Sequence, residues 1–113
     1  MKLSEVKEVL SATVLFGDEM LDKEVLSACG CDLMSDVLAF VKDQALLLTG
    51  LVNPQVVRTA EMMDMKAIVF VRGKKPGDDI INLAADAGIV MMTTELPLYL
   101  SCGLLYDKGL YHK

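Results

Sequence analysis

Several features that catalysis requires are scarce in this sequence of 113 residues. Its single histidine, His112, is the penultimate residue, and a chain end that frays holds a general base poorly. No Gly-x-x-x-x-Gly-Lys-Ser/Thr loop occurs, which excludes kinase chemistry of the P-loop type. The acidic residues between positions 18 and 24 lack a spacing that would make them converge on a cation. We therefore expect a protein that is not an enzyme and that has no cofactor.

Cysteines are also few, namely Cys29, Cys31 and Cys102. An odd number without the spacing of a disulfide framework indicates reduced thiols. Cys29 and Cys31 could suggest a metal site, but one distant cysteine and one histidine do not complete a tetrahedral zinc set. We expect buried thiols that bind no metal and form no disulfide.

Long apolar runs and an excess of basic residues are missing as well. No run approaches the length of a membrane span, and the N-terminal residues 1–8 have scattered charges instead of the apolar centre of a signal peptide. Eleven lysines and arginines against sixteen acidic residues give a net charge of -5, which disfavours nucleic-acid binding. The sequence thus predicts a cytoplasmic protein without nucleic-acid or membrane partners.

The sequence does contain three short, unbroken apolar runs, at residues 45–49, 67–71 and 89–93. Helical patterns begin between them at Asn53-Pro54 and at Gly77-Asp78, where asparagine is a good N-cap and proline suits the first turn. Runs without polar alternation are typical of parallel strands that helices cover on both faces. The pattern predicts a three-layer α/β fold, with a mainly parallel βαβαβ sheet flanked by helices.

The N-terminal half adds further elements within a single domain of residues 1–113. Runs at residues 12–16 and 24–29 indicate two extra strands. Because only a short loop separates them, they could pair antiparallel at an edge of the parallel sheet. Asp32 or Ser35 is then expected to cap a short helix.

A ligand site is predicted where the parallel strands end, since open α/β sheets bind ligands beyond these carboxyl ends. Arg72 and Lys75 supply positive charge there, Gly73 permits close backbone approach, and a helix N-terminus follows. An anion such as a nucleotide or phosphate would suit this site; the alternative is a solvated connecting loop. The candidate residues are Thr49, Gly50, Asn53, Arg72, Gly73, Lys75, Thr93 and Thr94.

The last helix, opened by Pro97, has apolar residues on more than one side. One helix presents only one stripe to its own sheet, so the remaining side chains favour association with a second copy. In the alternative, the N-terminal helix covers the outer side and no partner is needed. The candidate interface residues are Leu98, Leu100, Leu104 and Tyr106.

A family resemblance covers essentially the whole chain. It rests on Lys2-Leu-Ser-Glu-Val6, Ser35-Asp-Val-Leu-Ala39, Leu46-Leu-Leu-Thr-Gly50, Asn53-Pro-Gln-Val-Val-Arg-Thr-Ala60, Ala67-Ile-Val-Phe-Val-Arg-Gly73 and Pro76. These segments resemble a stand-alone DRTGG domain. Related domains occur in phosphotransacetylases, between nucleotide-sensing modules of some pyrophosphatases, and as the N-terminal domain of HPr kinase/phosphorylase. The resemblance implies a three-layer α/β fold and a regulatory or dimerising role without catalysis.

Two functions follow as expectations. The first is a non-catalytic regulatory or interaction module that homodimerises and docks on a partner, such as a metabolic or redox enzyme. The second is a sensor that binds a nucleotide or another anion at the carboxyl ends of the strands.

Overall fold

The computed structural model describes residues 1–41 and 44–111, so His112 lies outside the described residues. The described part forms one five-stranded sheet with five α-helices. The elements in chain order are α1 (Leu3–Leu10), β1 (Thr13–Phe16), a 3₁₀ turn (Asp18–Met20), β2 (Ser27–Gly30), α2 (Met34–Phe40), β3 (Ala45–Thr49), α3 (Pro54–Met62), β4 (Ala67–Phe70), α4 (Asp78–Ala87), β5 (Val90–Thr93) and α5 (Leu98–Asp107).

The sheet has the strand order β1-β5-β4-β3-β2. Its central strands β3, β4 and β5 run parallel, as their unbroken apolar runs predicted. Every residue of these three strands is buried. The predicted α/β fold with a mainly parallel sheet is therefore confirmed.

Helices cover both faces of the sheet and divide the core into two layers. On one face, α1 and α5 contribute Leu3, Val6, Leu10 and Leu105 to a core that includes Val69 of β4. The other face packs against α2, α3 and α4. Because alternate residues of a strand point to opposite faces, each central strand supplies both layers.

The two N-terminal strands do not pair with each other, so the expectation of an antiparallel pair is wrong. Strand β1 pairs antiparallel with β5 at one edge of the sheet, whereas β2 pairs parallel with β3 at the opposite edge. The connection between them is no tight hairpin. Met20, Leu21 and Val25 of this connection pack against the layer that contains α1. Because their burial is favourable, the connection runs along this layer to the opposite edge of the sheet.

The cap of α3 is as predicted, while that of α2 is not. The Asn53 side-chain oxygen accepts a hydrogen bond from the Val56 N–H at 3.2 Å, and Pro54 occupies the first turn. Helix α2 begins after Leu33 and has no side-chain cap. The carboxylate of Asp32 turns instead toward the end of β3, which places it among the predicted ligand residues.

Candidate functional site

The carboxyl end of β3 is held by the Asp32 carboxylate. Asp32 Oδ1 accepts hydrogen bonds from the Thr49 hydroxyl at 2.9 Å and from the Gly50 N–H at 2.8 Å. The Thr49 hydroxyl in turn accepts from the Leu51 N–H at 3.1 Å. Thr49 is fully buried, whereas Asp32 is exposed. Asp32 Oδ1 therefore has a structural role, since it holds the end of β3 at the protein surface.

The turn after β4 has an unusual backbone at Arg72. This residue has a φ of 57° and Gly73 one of 69°, so two successive residues are left-handed. The Arg72 N–H donates to the Leu96 carbonyl at 2.9 Å, and the Gly73 N–H donates to the Thr94 carbonyl at 2.8 Å. A left-handed conformation costs a non-glycine residue roughly 1–2 kcal/mol. Strain of this kind occurs often at functional sites, but Ser11, Gln44 and Asp64 have the same conformation, so the backbone marks Arg72 as a site residue only together with its side chain.

The Arg72 side chain extends over Gly50. A Cβ atom at Gly50 would lie 2.8 Å from Arg72 Nη2 and 3.7 Å from Asp32 Oδ2. Gly50 therefore leaves room for the Arg72 guanidinium, and the second carboxylate oxygen of Asp32, Oδ2, lies nearby. Among the described residues this guanidinium forms no ion pair, and Arg72 is exposed. An anion in solution could reach it.

The structure brings the other predicted residues to this end of the sheet in different roles. The Thr93 hydroxyl donates to the Lys74 carbonyl and the Thr94 hydroxyl to the Leu10 carbonyl, both at 2.7 Å. Both threonines are buried, so these hydroxyls hold the end of β5 in place. Asn53 serves as the cap of α3, and Lys75 is exposed in the turn before α4. Arg72 and Lys75 are thus the predicted cations with accessible side chains.

Two acidic residues at this end were not predicted as part of the site. Asp32 was interpreted as a helix cap, which is the commoner role of an aspartate before a helix. Glu95 lies over Gly73, where an added Cβ would be 2.5 Å from Glu95 Oε2. Neither contact has a sequence signal, because each depends on where neighbouring strands end. The strand ends therefore present charges of both signs.

A cavity of about 270 Å³ lies at the opposite end of the sheet. Its lining includes Lys23 and Glu61, and the Lys66 ammonium is 3.6 Å from the Asp64 carboxylate. Met65 and Ile89 precede β4 and β5 and form buried parts of the wall. This cavity is thus separated from Arg72 by the length of the strands.

The three cysteines are free thiols near Gly30. Cys102 Sγ of α5 lies against Gly30, where a Cβ would collide with it. Burial raises the pKa of the Cys29 thiol, and the neighbouring Cys31, Cys102 and Asp36 raise it further. Burial also raises the pKa of Cys102. No group of three potential metal ligands is found within residues 1–41 and 44–111.

Helix α5 uses only part of its apolar surface for the core. Leu98 and Leu104 are partly buried against the layer formed with α1, which packs beside α5. Leu100 and Tyr106 are 43% and 65% exposed. Of the four predicted interface residues, these two remain on the surface. None of the described helices is long and apolar enough to cross a membrane.

The fold is similar to that of a pyrophosphatase regulatory region. The structure is that of the CBS and DRTGG domains of the Clostridium perfringens enzyme, complexed with its activator, diadenosine tetraphosphate; the TM-score is 0.77 at 16% identity. The similarity covers 99% of this chain and 50% of that chain, so this chain spans half the length of its structural relative. No family model and no curated protein matches the sequence. The likeness supports a DRTGG- or CBS-like fold; assignment as a stand-alone DRTGG domain stays a prediction.

Proposed function

We propose that this chain is a non-catalytic regulatory module that homodimerises and modulates a partner enzyme of the cytoplasm. The observation that supports this most is the similarity of almost the whole chain to a regulatory region. Fold alone does not determine function, so the character of the site matters as well. The buried threonine hydroxyls at the strand ends are engaged by the protein itself, which suits a structural role better than catalysis.

The test measures the mass of this chain in solution and the activity of a partner enzyme in its presence. Light scattering over a range of micromolar concentrations measures whether the chain dimerises. A partner, which we expect to be a metabolic or redox enzyme, is then reconstituted with the purified chain at known stoichiometry. Its rate should change saturably as the chain is added. A chain that stays monomeric and leaves the rate of every reconstituted enzyme unchanged would contradict the proposal.

A second candidate function is that of a sensor for an anionic ligand, and the Arg72 geometry favours it. The exposed Arg72 guanidinium lies over Gly50, and an accessible guanidinium can donate two parallel hydrogen bonds to phosphate oxygens. The regulatory region of similar fold was crystallised with diadenosine tetraphosphate, a nucleotide with several phosphates. We therefore propose nucleotide phosphates as the ligand class for this site.

Thermal shift with nucleotides, including diadenosine tetraphosphate, and with inorganic phosphate tests the sensor. A ligand at 100 times its Kd stabilises the folded state by about 2.7 kcal/mol. Arg72→Ala should abolish the shift, and Gly50→Ala should weaken it because the new methyl group displaces the guanidinium without removing its charge. The control is Arg58→Ala, since Arg58 is the other arginine, is exposed and lies on α3. Equal shifts in all variants would place any binding elsewhere.

A further inference from the structure

All three tyrosines of the sequence lie on the surface of α5 and the segment that follows it. Tyr99 is 92% exposed, Tyr106 65% and Tyr111 56%. The rings of Tyr106 and Tyr111 contact each other, with their centroids 5.0 Å apart. This contact restricts both rings, so less side-chain entropy is lost if a partner covers them. Tyrosine is enriched in protein interfaces for its large area and polar tip.

A glycine lies between the tyrosines on the same side of the helix. Tyr99, Gly103 and Tyr106 are spaced by four and three residues, which places them on one face. A Cβ added at Gly103 would meet no atom within 4 Å, so the packing of this chain does not require glycine there. Glycine inside a helix costs about 0.8–1.0 kcal/mol relative to alanine. A close approach by another molecule would explain it. We call Tyr99, Leu100, Gly103, Tyr106 and Tyr111 the aromatic face.

We propose that the aromatic face binds the same face of a second copy of this chain, with the two α5 helices crossing antiparallel at Gly103. This rests on the proposed homodimerising function and specifies its interface. A two-fold axis at Gly103 brings Tyr99 opposite Tyr106 of the partner subunit, because these positions flank the glycine at nearly equal distances. The face is thus complementary to its own copy, as a two-fold contact requires.

The area and charge of the aromatic face fit this occupant. With about 150–250 Å² per aromatic side chain, the exposed fractions of the three tyrosines and of Leu100, which is 43% exposed, give roughly 500 Å² per copy. Two copies would bury at most roughly 1,000 Å², the size of a weak or transient interface. The chain has a net charge of -5, and α5 carries one charge beside the aromatic face, the exposed Asp107, four residues after Gly103. A two-fold axis at Gly103 places this carboxylate opposite Tyr99 of the partner subunit and not opposite the partner's Asp107, so the two like charges are kept apart. A dimer that dissociates on dilution is therefore expected.

The test measures the dimer dissociation constant by analytical ultracentrifugation. Tyr99→Ala and Tyr106→Ala should each raise it about tenfold or more, as aromatic residues at the centre of an interface do. Gly103→Ala should also weaken the dimer while raising the thermal stability of the diluted monomer. The control is Phe40→Ala, because Phe40 is 73% exposed but lies on α2, across the sheet. Circular dichroism checks that each variant keeps its helical content.

The outcomes separate the interface from the function on which it rests. The aromatic face is supported if the dimer stays intact in Phe40→Ala and dissociates in both tyrosine variants. A dimer that persists in both tyrosine variants overturns this interface and leaves homodimerisation standing. A wild-type chain that is monomeric at every concentration overturns both. Because the sequence has no tryptophan, tyrosine emission should change with concentration in step with the measured mass.

Discussion

Replacement of Ser101 by alanine is expected to stabilise the protein. The Ser101 side chain is fully buried in α5, and its hydroxyl oxygen has no hydrogen-bond partner among the described residues. A buried hydroxyl without a partner costs about 1–3 kcal/mol. Alanine removes this group and has a higher helix propensity, by up to about 0.5 kcal/mol.

The expected gain in the free energy of unfolding is about 1–2 kcal/mol, because the void left by one oxygen offsets only a few tenths of a kcal/mol. For a chain of this length, that corresponds to a rise in Tm of roughly 3–8 °C. Urea unfolding followed by circular dichroism measures the change, at one fixed protein concentration because dimerisation also affects apparent stability.

Thr94→Val is the matched control of opposite sign. Thr94 is also buried, but its hydroxyl donates to the Leu10 carbonyl at 2.7 Å and accepts from the Leu96 N–H at 3.3 Å. Valine keeps the shape of threonine but leaves the Leu10 carbonyl and the Leu96 N–H without the hydroxyl as a hydrogen-bond partner. This loss should destabilise the protein by about 1–3 kcal/mol. If Ser101→Ala instead lowers stability with an unchanged m-value, the Ser101 hydroxyl has a hydrogen-bond partner in the folded state, which contradicts the prediction.

Three further predictions concern Gly30, Arg72 and Cys29. Gly30→Ala should destabilise the protein by about 1–3 kcal/mol through collision with Cys102 Sγ, and Cys102→Ala should relieve most of that loss in a double-mutant cycle; additive effects would contradict the contact. Arg72→Gly should raise stability by about 1 kcal/mol in urea unfolding, because glycine adopts the left-handed conformation freely, and should abolish any anion-induced shift; a loss of stability would show that the side chain supports the fold. Since the pKa of Cys29 is raised above its ordinary value of 9.0, the folded state favours the protonated thiol, and the free energy of unfolding should fall as the pH rises above 9.0. This loss of stability at alkaline pH should be smaller in Cys29→Ala. Equal losses in the two proteins would contradict the raised pKa.

The central layer of the fold follows from the local sequence pattern. Residues 45–49, 67–71 and 89–93 have no polar alternation, and such strands are stable only between two layers of helices. Asn53 and Pro54 likewise mark the start of α3, because capping depends on residues within one turn. These features follow from neighbours close in sequence, which is why they were predicted.

The edges of the sheet and the composition of the site depend on contacts between residues that are distant in sequence. The separation of β1 from β2 depends on how the connecting segment packs beneath α1, and no local pattern encodes that. Asp32 turns to Thr49 rather than capping α2, and Arg72 reaches over Gly50, because strands distant in sequence end side by side. Side chains brought together by strand register have no periodicity to reveal them, so their contacts exist only once the sheet has formed.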